Sequence, residues 1–586
     1  MSNQLPPNPN LIYLKKQAKA LQKQMKAGEP TAIARCRQSH PQGENLTATK
    51  LSDAQLVIAR EYGFTSWPRL KHFVEGVRGR PLHRAFETNI EYYDGRAFGL
   101  HSVYQTGQPQ ALKLIRQSHP RFAGAGDEEI KAAGFTMDDA RLVLAREHGF
   151  ADWPALAAHV KRLAQGQVIE PFRVAFQAIK GNDLETFKQT LSRHPELATT
   201  PGTNGNGLLH LATDFGRVEM VRLLLDGGAD INMANNKGWT LLHCVAYTSA
   251  GGVPGGPEMV TAVIDSLLAA GADVTAEAHG SGGTPLMQAL FWGNRLQAER
   301  LAQEGINPNN LRAASGLGRL DHVRGFFNPD GSLKPEAGQK RAFHRPHSGF
   351  PPWIPGDDRQ EIVDEALVYA AKSGRTNVMD YLLAQGANID AEPYQGTALF
   401  WAISTDQTET VRWLLEHGAD VHHIAGFGGE KNINALHMAA WGGHMESAAL
   451  LLQYGADATY HEPRYNSSPV GWADHLGHPE LRDYLLEHAP LSLYDAAYHG
   501  RLERVKELVE ANPTLVNGSD DGSNGSPPDG TGTPLMGAAV AGHSAVVQYL
   551  LDYGADRTLT GADGKTALDL ARENGHQSVV DLLQAG

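Results

Sequence analysis

The feature that most constrains this chain is a step of about 33 residues running through its C-terminal two-thirds. From Gly207 it reads GLLHLATDFGRVEMVRLLLDGGADINMANNKG and then WTLLHCVAY, placing His210 and His243 at equivalent points. Thr533 and Thr566 stand in the same relation near the end. A unit this short cannot bury its own apolar face, so it becomes stable only where neighbouring units cover it. The period therefore predicts a stacked array of supersecondary units.

Each unit can be read from its residues. A Thr precedes a short apolar run and can accept from the open backbone donors of a helix start, with Pro tolerated in the first turn. Val221, Leu224 and Leu225 recur at helical spacing and form a stripe for a neighbour to cover. Gly228 sits where that second helix must stop, because glycine takes the left-handed conformation cheaply.

A Gly-Thr-Pro-Leu-His turn, a short helix ending Ala-Ala, a Gly-His link, an aliphatic helix and Gly-Ala-Asp make up a pattern that resembles the ankyrin repeat. Units begin near Pro171, Gly207, Gly238, Gly283, Asn310, Ile362, Gln395, Ile433, Ser467, Leu491, Thr531 and Lys565, and Gly-Ala-Asp or a variant recurs at Gly228, Gly271, Gly305, Gly386, Gly418, Gly455 and Gly554. The resemblance implies an all-α solenoid of about twelve helix pairs. It also implies that His210, His243 and His437, and the link histidines His444, His543 and His576, bond between repeats and do no catalysis. Asp230, Asp273, Asp420, Asp457 and Asp556 follow a turn signal and form no acid–base pair.

Departures from the pattern are loops at 249–259, 328–358, 424–432 and 517–532, where a solenoid commonly presents a binding edge. HRPHSGFPPW, residues 344–353, combines prolines with Phe350 and Trp353, and either plugs a groove between irregular repeats or contacts a partner. His344 and His347 lack a Cys or acidic partner at ligand spacing, so no metal is expected.

Upstream, Arg37-Gln-Ser-His-Pro41 matches Arg116-Gln-Ser-His-Pro120, and AQLVIAREYGFTSWPRLKHFV matches ARLVLAREHGFADWPALAAHV. A helical unit in 1–80, basic, is thus expected to be repeated in 81–166, with repeats over 170–327, an irregular insertion at 328–361, and further repeats over 362–586. Each copy has an apolar run (Leu56, Ile58, Ala59; Leu142, Leu144, Ala145), a Gly-Phe turn, and Ser66 or Asp152 capping a Trp-Pro helix. The arrangement is similar to segments preceding ankyrin repeats in bacterial proteins, which suggests a bacterial source.

Charge divides the same way. The chain carries −13, yet residues 1–80 hold thirteen Lys and Arg against five Asp and Glu. Lys15, Lys16, Lys19, Lys23 and Lys26 line one helix; they read as a solvated face, or as a surface for an acidic partner, with the acidic repeats of the same chain as one such partner. No aromatic interleaving accompanies them, so nucleic acid is not the expected partner. No apolar run reaches about 18 residues and Cys36 and Cys244 make no framework, so a cytoplasmic protein without a membrane partner is expected. Phosphate loops, nucleophile elbows and zinc-protease motifs are absent, and neither catalytic residue nor cofactor is expected.

In an ankyrin unit the residues just after Ala-Ala face the concave groove and vary with the partner. Here those places include Phe215, Tyr247, Phe291, Trp292, Lys372, Ser373, Trp441 and Tyr498, with Trp239 and Tyr394 at turn tips beside them. The eight aromatics among them are the candidate protein-binding strip of a scaffold or adaptor. Packing between irregular repeats is the competing use for the same rings. An enzyme or effector with its active site in residues 1–170, targeted by the repeats, is the alternative function.

Overall fold

The computed structural model describes residues 5, 10–42, 50–77, 82–104, 107, 109–236, 238–248, 256–278, 283–304, 309–341, 355–427, 430–465, 467–518, 532–561 and 563–585. These fall into two compact units, the first Met1–Ala289 with Leu296–Ile306, the second Leu290–Arg295 and Asn307–Arg341 with Arg345–Gly586.

The N-terminal region is helical. It comprises α1 (Leu11–Lys26), α2 (Pro30–Ser39), α3 (Leu51–Glu61) and α4 (Trp67–Val77), then α5 (Ile90–Val103), α6 (Pro109–Ser118), α7 (Asp127–Ala132), α8 (Met137–Glu147) and α9 (Trp153–Ala164). In both segments two of the three expected apolar residues are buried, Ile58 with Ala59 and Leu144 with Ala145, and the third gives way to its neighbour. Val57 and Val143 are fully buried, whereas Leu56 and Leu142 are half-buried on the flank. The remaining signals hold: Ser66 and Asp152 accept from Arg69 N–H and Ala155 N–H, and Phe64, Trp67, Phe150 and Trp153 pack against the local cores.

From Pro171 the described residues form twelve helix pairs. In order they are α10 (Pro171–Gly181) with α11 (Leu184–Arg193), α12 (Leu208–Asp214) with α13 (Val218–Asp226), α14 (Leu241–Tyr247) with α15 (Gly256–Ala269), and α16 (Pro285–Phe291) with α17 (Arg295–Ala302). Next come α18 (Leu311–Gly316) with α19 (Leu320–Gly325), α20 (Arg359–Lys372) with α21 (Thr376–Ala384), α22 (Ala398–Ser404) with α23 (Thr408–Glu416), and α24 (Ala435–Gly442) with α25 (Met445–Gln453). The last four are α26 (Pro469–His475) with α27 (Pro479–His488), α28 (Leu493–Tyr498) with α29 (Leu502–Ala511), α30 (Pro534–Ala541) with α31 (Ser544–Asp552), and α32 (Ala567–Glu573) with α33 (Gln577–Gln584). First helices pack on first helices, as α20 does on α18 and α22, and second on second, as α29 on α31. The all-α solenoid expected from the 33-residue step is the architecture found.

One addition to it is a short antiparallel hairpin, β1 (Ala425–Phe427) with β2 (Glu430–Ile433), inside the tip expected at 424–432. Residues 249–255, 342–354 and 519–531 lie outside the described residues. The readings of HRPHSGFPPW and of His344 with His347 fall there.

The local chemistry follows the pattern. Thr397, Asn434, Ser468 and Thr533 each accept from a backbone N–H one turn into the helix they cap. Gly228 ends α13 at φ 87°, a value an L side chain rarely adopts. Asp230, Asp273, Asp420, Asp457 and Asp556 each accept the N–H two residues on, as turn formers do.

The turn histidines are buried crosslinks between repeats. His243 Nδ1 accepts from Thr240 N–H at 3.2 Å, which leaves Nε2 to donate to the Gly283 carbonyl of the next repeat at 2.9 Å. Nε2 of His437 reaches the Ser467 carbonyl at 2.9 Å and that of His210 the Trp239 carbonyl at 3.4 Å. Two link histidines reach back instead: His576 Nε2 lies 2.8 Å from the Val540 carbonyl and His478 Nε2 3.1 Å from the Trp441 carbonyl.

Candidate protein-binding face

The structure divides the eight candidate aromatics by burial. Trp441, at the end of α24, is 42% exposed, and Tyr247, the last residue of α14, is 38% exposed. Phe215, Trp292, Tyr394 and Tyr498 are half-buried. Trp239 and Phe291 are buried, at 5% and 4% exposed, so they serve as packing and present no contact surface.

Buried rings brace the exposed ones. In the first unit Trp239 lies 5.4 Å from Tyr247 between ring centroids, and Phe215 sits 6.5 Å from Phe176. In the second, Phe291 contacts Trp292 at 5.2 Å, Tyr394 at 6.3 Å and Trp401 at 5.3 Å. Trp401 continues to Phe427 at 4.6 Å, and Phe427 to Trp441 at 5.9 Å. Most of these pairs are edge-to-face, a geometry favoured by the ring quadrupole, and Trp239–Tyr247 and Phe291–Tyr394 are tilted. Tyr498 belongs to a separate pair with Tyr494, 6.2 Å away.

The sequence reading missed Trp401 and Phe427, because one sits mid-helix in α22 and the other in the hairpin. It placed Lys372 in the groove, and the structure buries it. Lys372 is 1% exposed, its Nζ 3.3 Å from the Trp401 ring centroid, 4.1 Å from Phe291 and 4.7 Å from Tyr369. Burial pushes this amine well below its ordinary range, against the pull of Glu365. Between that lowered value and 10.5 the unfolded chain binds the extra proton, so wild-type stability rises with pH until 10.5. Lys372→Met fills the same space without that cost. We expect its melting temperature to equal or exceed wild type at pH 7, with the difference shrinking toward pH 10.

Three side chains of the first unit come near metal-ligand spacing: ligand atoms of His83, Glu147 and His148 lie within 4.8 Å of one another, all buried. Their bonds point elsewhere. Glu147 accepts from Asn236 Nδ2 at 2.6 Å and Arg96 Nη2 at 3.2 Å, with His83 Nδ1 3.3 Å away. His148 has Nδ1 2.8 Å from the Leu144 carbonyl and Nε2 3.1 Å from the Thr203 carbonyl. The Arg96 guanidinium occupies the position of the compensating cation, and a divalent ion would have to displace it. We read this as a polar hub. It ties α5 and α8 to the first two repeats, helped by Arg84 N–H donating to the Pro201 carbonyl.

Comparison with known proteins agrees with the fold. The family described as "Ankyrin repeats (3 copies)" matches residues 175–277, 355–425 and 493–586, and "Ankyrin repeats (many copies)" matches 399–452, together about half of the chain. The chain is similar to a transient receptor potential cation channel subfamily A member 1 homolog of Caenorhabditis elegans, 25% identical over 73% of this chain and 32% of the channel. It is similar also to ankyrin repeat and SOCS box protein 11 of Danio rerio, 42% identical over 15% of this chain and 29% of that protein. It thus spans about a third or less of these relatives' lengths. A solved human ASB11 ankyrin repeat domain aligns at 29% identity over 37% of this chain and 97% of its own, with a TM-score of 0.24. No described helix is long and apolar enough to cross a membrane. With twelve helix pairs, histidine crosslinks between repeats and matching family segments, the chain belongs to the ankyrin-repeat family.

Proposed function

We propose that this chain is an adaptor that binds another protein through the exposed aromatic ends of its inner helices, and that it carries no reaction of its own. One observation carries the reading: Trp441 and Tyr247 stand exposed at helix ends while Phe427 and Trp239 brace them from beneath. A large ring fixed before binding loses little entropy on contact, and such rings dominate interface energies. Ankyrin repeats in general mediate protein–protein interaction, and His210, His243, His437 and His576 are occupied in crosslinks between repeats.

The same proposal includes a cytoplasmic setting, a bacterial source and the domain limits 1–80, 81–166, 170–327, 328–361 and 362–586. The two N-terminal segments are proposed as copies of one unit. Supporting this, His40 Nδ1 and His119 Nδ1 each accept the N–H two residues on, and their Nε2 atoms approach Asp53 and Asp139 at 3.9 Å and 2.9 Å.

The test measures affinity and stability together. Against the partner captured from native lysate, Trp441→Ala and Tyr247→Ala are each expected to weaken binding about 30-fold, the equivalent of about 2 kcal/mol, with melting within about 2 °C of wild type. Lost stability with unchanged affinity assigns the rings to packing and ends the proposal.

A further inference from the structure

Helix α1 carries five lysines at Lys15, Lys16, Lys19, Lys23 and Lys26 and no acidic residue. All five are exposed, and among the described residues none forms an ion pair or hydrogen bond. At 100° per residue they fall within an arc of about 100° and extend over about 16 Å of helix. Leu14, Ala18 and Leu21, on the other side, are buried in the local core, so the lysine stripe faces away from that core. Ile12 lies in the same arc and Tyr13 beside it, each 59% exposed. The stripe therefore has an apolar tip.

We propose that this face of α1 docks on an anionic lipid surface, with the lysines over the headgroups and Ile12 and Tyr13 entering the interface. A row of ammonium groups suits any polyanion, and two observations favour lipid. Ile12 and Tyr13 gain nothing on a phosphate backbone but bury apolar area among headgroups. The cations are all lysines, which act as point charges over a diffuse anionic layer; planar recognition of individual phosphates favours arginine. Net charge does not oppose the contact. The chain is −13 overall, but at physiological ionic strength charges beyond about 8 Å from the lipid are screened. A surface contact needs no spanning segment, so it is compatible with the helices described.

Sedimentation of the full chain with vesicles tests this. Vesicles of phosphatidylcholine with about one-third phosphatidylserine should carry the protein down at 100 mM salt, and pure phosphatidylcholine should not. Each Lys→Gln change should lower partitioning about fivefold, so that Lys15→Gln with Lys19→Gln costs about 25-fold. Both side chains are exposed and unpaired, and an unchanged melting curve will verify that the variant folds. In an Ile12→Trp variant, indole emission should shift to the blue on anionic vesicles alone. Equal partitioning to both vesicle types would overturn the proposal. So would retention on duplex DNA, or salt-sensitive self-association through the lysines, without vesicle binding.

Discussion

Replacing Glu365 by glutamine should destabilise the second unit by about 3–5 kcal/mol, the largest single-residue effect expected in this molecule. Glu365 lies on α20 in a site closed to water, where one carboxylate oxygen accepts from Arg312 Nη1 at 2.7 Å and the other from Arg341 Nε. Burial alone would raise this carboxyl, but the two guanidiniums overcome it and hold it below its usual range. Arg341 is anchored further by Glu361 at 2.8 Å and the Gly356 carbonyl at 2.8 Å, and Arg312 by the Lys340 carbonyl at 3.2 Å. Neutralising the carboxylate leaves the buried Arg312 without a counter-charge beside Lys372, and leaves Arg341 with Glu361 alone. Replacing Arg312, Glu365 and Arg341 together by Met, Leu and Met removes both charge and counter-charge, and should leave stability near wild type or raise it. Hydrogen exchange at α18 and α20 in rising urea reads both changes. A glutamine variant as protected as wild type would contradict the assignment.

Acid should open the first unit before the second. The imidazoles of His148, His210 and His243 are pushed down to about 4 by burial, as is His437 in the second unit. Above 6.5 each is neutral in both folded and unfolded chains and contributes nothing to the pH dependence. Between 6.5 and 4 the unfolded chain takes up protons that the folded one refuses, so stability falls as pH falls, by up to about 3 kcal/mol per histidine. Three of the four imidazoles held near 4 lie in the first unit, where burial also lowers His119; in the second, burial lowers His444 and His499 alongside His437. Exchange measured from pH 7 to 4.5 and corrected for the intrinsic rate should lose protection in α12 and α14 first. His243→Gln, which retains a donor toward the Gly283 carbonyl, should narrow the gap. Simultaneous loss in both units would show that other groups control acid unfolding.

The repeat array was legible in the sequence because its signals are local. A cap, an apolar stripe and a stop glycine lie within one 33-residue step, and Thr397, Leu224 and Gly228 behave as their spacing implies. Contacts assembled from distant segments gave no such signal. Glu147 pairs with Arg96 and Asn236 across 51 and 89 positions, so its role could not be read from its neighbours. Lys372 was placed correctly on the inner-helix end, yet its burial depends on Phe291, Tyr369 and Trp401, which come from three helices. The candidate strip shows the same limit. Position within a unit finds the helix end, while exposure depends on rings supplied from elsewhere in the array, as Tyr394 and Trp401 pack against Phe291.

The central claim is that recognition occurs at the braced aromatic ends of the inner helices. A photo-reactive residue at position 441 compared with one at Tyr553, which is 48% exposed at the end of the outer helix α31, tests it directly. Crosslinking of the bound partner from 441 and not from 553 is predicted. Crosslinking from 553 alone, or equally from both, would contradict it.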